Sequence, residues 1–161
     1  MLVVVPDFKE IHNQLVFLAG PIQGAEDWQK TAIEIIQKKS PSLNIATPRG
    51  DYSNKKFDYD IQVDWESYHL SLASESGGIL FWLAKEKEHF CHRAYAQTTR
   101  FELAEWITKY TFNKGIKLFI GIESGFSGER YLKKRIEQDC PEITIHSSLE
   151  DVCEELIQKT V

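Results

Sequence analysis

Three cysteines, Cys91, Cys140 and Cys153, are all that the 161-residue chain contains, an odd number with no paired spacing. That excludes a disulfide framework and fits free thiols in a reducing compartment. No apolar run approaches the ~20 residues that cross a bilayer, so no membrane span is expected. Residues 1–6 are apolar but lack a cationic start and a small-residue cleavage site, which argues against a secretory signal and for a cytoplasmic protein. Positive charge is also scarce. The formal net charge of -5 opposes the phosphate backbone of DNA or RNA, so no nucleic-acid polymer is expected as a partner, whereas a small substrate with one phosphate remains compatible. The one compact basic run, Lys133-Lys134-Arg135, lies among Glu129, Glu137 and Asp139 and reads as a solvated helix face. Neither G-x-G-x-x-G nor G-x-x-x-x-G-K-[ST] occurs, which removes a dinucleotide fingerprint and a P-loop, and no cofactor is expected. Internal repeats and low-complexity tracts are absent too.

What remains is ordinary globular material, 42% hydrophobic and 27% charged, of a length that one domain spanning residues 1–161 accommodates around one core. Residues 14–19 form an apolar run that ends in Gly20-Pro21, which predicts a buried strand and then a turn. Trp28, Ala32, Ile35 and Ile36 fall at helical spacing and predict a helix over 25–39, stopped by Ser40-Pro41-Ser42. A second strand follows over 43–47. Trp65, Tyr68, His69 and Leu72 share one face of a second helix. Residues 78–83 are apolar on both faces, the pattern of a central strand. A helix over 98–110, a strand over 116–121, a helix from a Ser127 N-cap to about 138 and a short strand over 143–145 come next. The last helix carries Leu149, Val152, Cys153, Leu156 and Ile157 on one face, behind Ser147 and Glu150 as a capping box.

Five strands alternating with five helices call for a parallel sheet covered on both faces, because each right-handed crossover lays its helix over the sheet. The expected class is α/β, a three-layer sandwich with a five-stranded parallel sheet in the order 2-1-3-4-5. Ligands of such sheets bind beyond the carboxyl ends of the strands where the order reverses, which brings Gly20-Pro21-Ile22 and the segment after Leu83 to one cleft.

Two features there carry chemistry. The glycine turn at Gly20 lets backbone amides approach a ligand ahead of a helix N-terminus, which also suits a plain strand-to-helix turn. Glu102 is placed in the first turn of a helix that Thr98 or Thr99 could cap; the positive helix end would keep it ionised, as a nucleophile must be, though a structural glutamate also fits such a position.

Phe17-Leu18-Ala19-Gly20-Pro21-Ile22 followed by Trp28, then Trp65-Glu66, Ile79-Leu80-Phe81-Trp82 and Thr98-Thr99-Arg100-Phe101-Glu102-Leu103-Ala104, in this order over most of the chain, resembles the nucleoside 2-deoxyribosyltransferase-like family. The resemblance implies a flavodoxin-like fold. It places the glutamate nucleophile of a Thr-x-x-x-Glu-Leu segment on Glu102 and implies nucleoside contacts at Gly20, Pro21 and Ile22. The implied chemistry is cleavage or exchange at an N-glycosidic bond of a (deoxy)nucleoside or its monophosphate. A carboxylate beneath the sugar stabilises the oxocarbenium-like transition state and traps it as an ester, which a second base or water then opens with net retention.

An acid must protonate the departing base. The family's aspartate before the third strand is replaced by Ser74-Glu75-Ser76, and the residues just before Glu102 are Ala96, Gln97, Thr98 and Thr99. Asp64 and Glu66 are the best substitutes, with Glu75 behind them. They project about 200° apart on a helix, so at most one faces the cleft; Asp64 is the expected acid and Glu66 a substrate contact. Arg49, at the end of the second strand, could hold a phosphate or be an exposed loop arginine. Trp28 could stack on a base, although its helical position suits the core. Glu123, after the fourth strand, could reach the sugar hydroxyls. His89, Cys91 and His92 lack the distant partner that a metal site needs, and the polar stretch 84–97 reads as a mobile flap with Cys91 an exposed thiol. The resemblance also implies a homodimer or larger homo-oligomer. Rival readings are a glycohydrolase of NAD, a non-catalytic nucleotide-binding or sensing module, and an interaction domain without a ligand.

Overall fold

Strands form where the apolar runs are too short and too evenly apolar for a helix with a wet face. A computed structural model describes residues 1–50 and 58–161. The elements are β1 (Leu2–Val4), β2 (Leu15–Ala19), α1 (Trp28–Lys39), β3 (Asn44–Thr47), α2 (Tyr59–Ser76), β4 (Gly78–Leu83), α3 (Gln97–Phe112), β5 (Leu118–Ile122), α4 (Glu129–Asp139), β6 (Ile145–His146) and α5 (Leu149–Thr160). The sheet has six strands in the order β1-β3-β2-β4-β5-β6, and every pairing is parallel. This is the flavodoxin-like α/β arrangement, with the order reversing between β2 and β4.

Every residue of β2 and β4 is buried, as a parallel strand covered on both faces requires. Leu15, Phe17 and Ala19 of β2 and Ile79, Phe81 and Leu83 of β4 join one cluster with Trp65 of α2, Leu103 of α3 and Ile136 of α4. Val16, Leu18, Leu80 and Trp82 join the other with Ala32 and Ile36 of α1 and Val152 and Leu156 of α5. So α2, α3 and α4 cover one face, and α1 and α5 the other. Trp65 is fully buried, with its ring centroid 5.9 Å from that of Phe17; cutting it to alanine costs about 3–5 kcal/mol.

The sheet departs from expectation in its strand count. Leu2–Val4 adds an edge strand, with Leu2 opposite Ile45 and Val4 opposite Thr47; three residues are too few to display a period, so the run was legible only as apolar. The other five strands keep the expected order. Helix ends shift as well. Asp27 caps α1 by accepting from Lys30 N at 3.1 Å. Ser127 does not cap α4, which starts behind Gly128 in the left-handed region. Ser148 rather than Ser147 caps α5, accepting from Asp151 N at 3.3 Å, so the expected pairing of Ser147 with Glu150 moves by one residue. Among the described residues no helix is long and apolar enough to cross a membrane.

Candidate functional site

The turn after β2 is set by close packing. A Cβ on Gly20 would sit 2.4 Å from the Trp82 carbonyl oxygen and 2.5 Å from a ring carbon of Trp28, distances that no side chain tolerates, so glycine is required by approach alone. Trp28 is 4% exposed, and its Nε1 donates to the Pro21 carbonyl at 2.9 Å. The expectation that Trp28 stacks on a base is therefore corrected: its indole lies in the core and braces the Gly20-Pro21 turn. Pro21 is buried and Ile22 half-buried.

Arg49 is corrected too. Its Nε donates to Gln29 Oε1 at 2.8 Å, and its Nη2 donates to the carbonyls of Ile22 at 3.2 Å and Glu26 at 3.1 Å. Asp27 Oδ1 lies 3.2 Å from Nε. The guanidinium is committed to the β2–α1 turn, which it ties to the end of β3, and is not a free phosphate ligand. Removing it would leave two carbonyls short of a donor, at about 1–3 kcal/mol.

The segment after β4 is fastened to the same turn. Lys87 N and Glu88 N donate to the Gly24 carbonyl at 2.7 and 3.1 Å, Lys87 Nζ pairs with Glu26, and Arg93 donates to Gln23 Oε1. Gly24 has φ +82, and a Cβ there would meet the Glu88 carbonyl at 2.7 Å, so the latch depends on glycine. Tyr95 Oη donates to the Ala84 carbonyl at 2.7 Å; burial, then the charges of Glu86 and Glu123, push this phenol well above its usual range. The residues after β4 are thus hydrogen-bonded to the β2–α1 turn. Glu123 buckles the ends of β4 and β5, accepting from Lys85 N at 2.9 Å and pairing with Lys85 Nζ at 3.3 Å. His89, Cys91 and His92 are exposed, with His89 Nδ1 2.8 Å from Glu86 Oε1. Among the described residues no group of three or more His, Cys, Asp or Glu side chains is disposed to hold a metal.

Two carboxyls, Glu66 on α2 and Glu102 on α3, influence each other electrostatically. On α2, Phe8 lies 5.6 Å from the Tyr68 ring, and Trp65 Nε1 donates to the Asp7 carbonyl at 2.8 Å, so that flank faces the link between β1 and β2. Glu66 is two residues from Tyr68, about 200° around the helix, and faces the other way, where α3 lies. On α3, Thr99, Leu103, Trp106 and Tyr110 form the buried face. Arg100 donates to the Ser127 carbonyl at 2.6 Å and lies 4.5 Å over the Phe126 ring, so its flank faces the β5–α4 connection. Glu102, again about 200° around, is left on the flank bordering α2. Both carboxyls are half-buried. Gln62 Nε2 donates to Glu66 Oε1 at 2.7 Å, while Gln62 Oε1 is buried and has no partner among the described residues.

The electrostatics follow from burial. Burial, then the charge of Glu66 and that of Glu105, push the Glu102 carboxyl up to about 8. Burial also raises Glu66, against the hydrogen bond from Gln62 that favours its charged form. The expectation that a helix end keeps Glu102 ionised is overturned, because α3 starts at Gln97 and Glu102 lies past the first turn, where the dipole has faded. Neither threonine caps the helix. The N-cap is Ala96, at φ 55 and with no side-chain bond; Thr98 is exposed and Thr99 buried inside the first turn. Asp64, the expected acid, is exposed on the outer side of α2; Glu66 is the carboxyl that feels Glu102. Gln62 was missed in the sequence, although its i,i+4 spacing from Glu66 was visible.

Two concavities lie away from this pair. One of about 590 Å³ runs along the sheet edge beside Leu2, Ile33, Thr47 and Arg49, the other, of about 520 Å³, at the amino edge beside Asn13, Gln14 and Ser76. Neither includes Glu66 or Glu102. No protein-family model and no curated protein matches the chain, so the family resemblance stands on the quoted motifs alone.

Proposed function

We propose that the chain cleaves, or exchanges the base at, the N-glycosidic bond of a (deoxy)nucleoside or its monophosphate, through a covalent glycosyl ester on Glu102. One observation carries this reading: the motif glutamate is a half-buried carboxyl with a second carboxyl as its electrostatic neighbour, with no paired cation among the described residues. Buried acidic pairs are the working parts of retaining glycoside chemistry, and perturbed carboxyls mark functional sites. A cationic sugar in the transition state is what a pair of half-buried carboxyls stabilises best, since it brings the positive charge that offsets theirs.

Burial raises both carboxyls, that of Glu102 to about 8. The reacting form is the one in which Glu102 is ionised. Oε of Glu102 attacks the anomeric carbon, the C–N bond breaks, and its electron pair leaves with the base. Water or a second base then displaces Glu102, and two inversions give net retention.

The Gly20-Pro21 turn lies at the switch point of the sheet, where the nucleoside is expected. Arg49 is already committed, so it gives a substrate phosphate no special grip. The resemblance implies a homo-oligomer as well, and Phe101 and Phe112, 74% and 89% exposed on α3, are apolar surface that a second copy would cover; light scattering on the purified protein measures this.

The test is to incubate the protein with deoxynucleosides, ribonucleosides and their monophosphates, with and without a second free base, and follow base release and exchange by chromatography, with Glu102→Ala as control. Release or exchange lost in the variant supports the reading. Nicotinamide from NAD, with silence on nucleosides, replaces it by a glycohydrolase of NAD, and tight binding without turnover replaces it by a nucleotide-binding module.

A further inference from the structure

We propose that the concavity of about 590 Å³ along the sheet edge is a separate binding site, for a small monocarboxylate with an apolar body. The site is independent of the glycosidic chemistry above, and its test needs no turnover.

One orphan donor marks the site. Gln29 lines the concavity and is 1% exposed. Its Oε1 accepts from Arg49 Nε at 2.8 Å, which fixes the orientation of the amide: turned over, its N–H groups would meet the guanidinium donor to donor. Nε2 is therefore the outward donor, and it is buried with no acceptor among the described residues. A buried amide N–H without a partner is rare, because nothing offsets its loss of water. Arg49 does not require a glutamine for its own sake, since Asp27 Oδ1 already lies 3.2 Å from the same Nε. An acceptor brought in by a ligand accounts for the amide; the fold alone does not.

The rest of the wall fixes the class of ligand. Gln29 and Ile33 are one turn apart on α1 and share a face, and Ile33 lines the concavity together with Leu2 and Val4 of β1. All three apolar residues are only half-buried, so a hydrocarbon body laid on them removes apolar surface from water. Of the cations in the wall, Arg49 is paired with Asp27. The exposed Lys30, next in sequence to Gln29, has no ion-pair partner among the described residues. A head that accepts from Gln29 Nε2 and meets the Lys30 ammonium is anionic. Asp27 and Glu34 also border the concavity, and their charges disfavour a dianion such as a phosphate monoester. A single carboxylate satisfies all of these groups.

The probes are octanoate, octanamide and octylamine, titrated into 15N-labelled protein and followed by heteronuclear NMR, with circular dichroism to confirm that each variant folds. Octanoate is expected to shift the Gln29 side-chain amide and the backbone amides of Leu2, Val4 and Ile33 saturably, and octanamide to shift the same residues with several-fold lower affinity. Gln29→Met, which keeps the bulk and lacks the amide, should lose about tenfold or more in affinity for octanoate. Lys30→Gln alters an exposed side chain and carries the test if Gln29→Met does not fold; it should lose about two- to fivefold for octanoate and nothing for octanamide. Octylamine binding as tightly as octanoate, affinities unchanged in the folded variants, or no saturable shift at these residues would each overturn the proposal and leave the glycosidic reading untouched.

Discussion

The rim around Gly20 and the groove between α2 and α3 are built on opposite principles. At the rim each charged group has a partner: Arg49 with Asp27 and two carbonyls, Lys87 with Glu26, Glu123 with Lys85. Between the helices Glu66 and Glu102 are half-buried and like-charged neighbours, and among the described residues neither has a cation partner and Gln62 Oε1 has no donor. The rim lowers the free energy of the fold, while the groove raises it. Stability is sacrificed in proteins where function requires it, which is why the groove, and not the better-formed rim, is the stronger candidate for chemistry.

The largest effect expected from breaking this contrast is on turnover. Glu102→Gln should lose roughly 10³-fold or more in kcat on any substrate that the wild type cleaves, measured by base release; a loss within tenfold would remove Glu102 from the chemistry. Arg49→Gln should act on the rim alone. It should lower stability by about 1–3 kcal/mol in denaturant titration, and its effect on kcat/KM should be the same for a nucleoside and its monophosphate; a selective loss on the monophosphate would restore Arg49 as a phosphate ligand.

The pH profile sharpens the comparison further. Base release should rise as pH climbs through about 8, where the Glu102 carboxyl gives up its proton and becomes the nucleophile, and a rate that is flat through that pH would show that Glu102 does not titrate there. Asp64→Asn should change kcat by less than about twofold, as suits an exposed side chain outside the groove; a large loss would return it to the role of acid.

Much of this contrast was legible in the sequence, and the reasons for the rest are local. Periodicity located five strands and five helices because each long element repeats its apolar positions, and it missed Leu2–Val4 because three residues show no period. The motif at Glu102 and the 200° separation of Asp64 and Glu66 left at most one of those two facing the cleft, with Glu75 behind them. Which one faces α3 depends on how α2 is rolled, and that is set by Phe8 and Asp7 lying on its opposite flank, a tertiary contact that no window of sequence contains. Arg49 and Trp28 were misread for the same reason, since their partners lie 20 to 27 and 7 residues away. The charge state of Glu102 was misjudged because burial, a property of the assembled fold, outweighed its place on the helix.

The most direct test is the unfolding free energy of wild type and Glu102→Gln between pH 5 and 9. A carboxyl raised from its ordinary 4.5 to about 8 binds its proton more tightly in the folded chain, so it costs the fold nothing below the lower value and progressively more as pH climbs through the higher. The variant has no such carboxyl. Its stability relative to wild type should therefore grow over this range and favour the variant by on the order of 2 kcal/mol at pH 9, after screening by the solvent that reaches a half-buried group. A constant difference between the two across the range would mean that Glu102 is an ordinary solvated glutamate, and the contrast between rim and groove would fail.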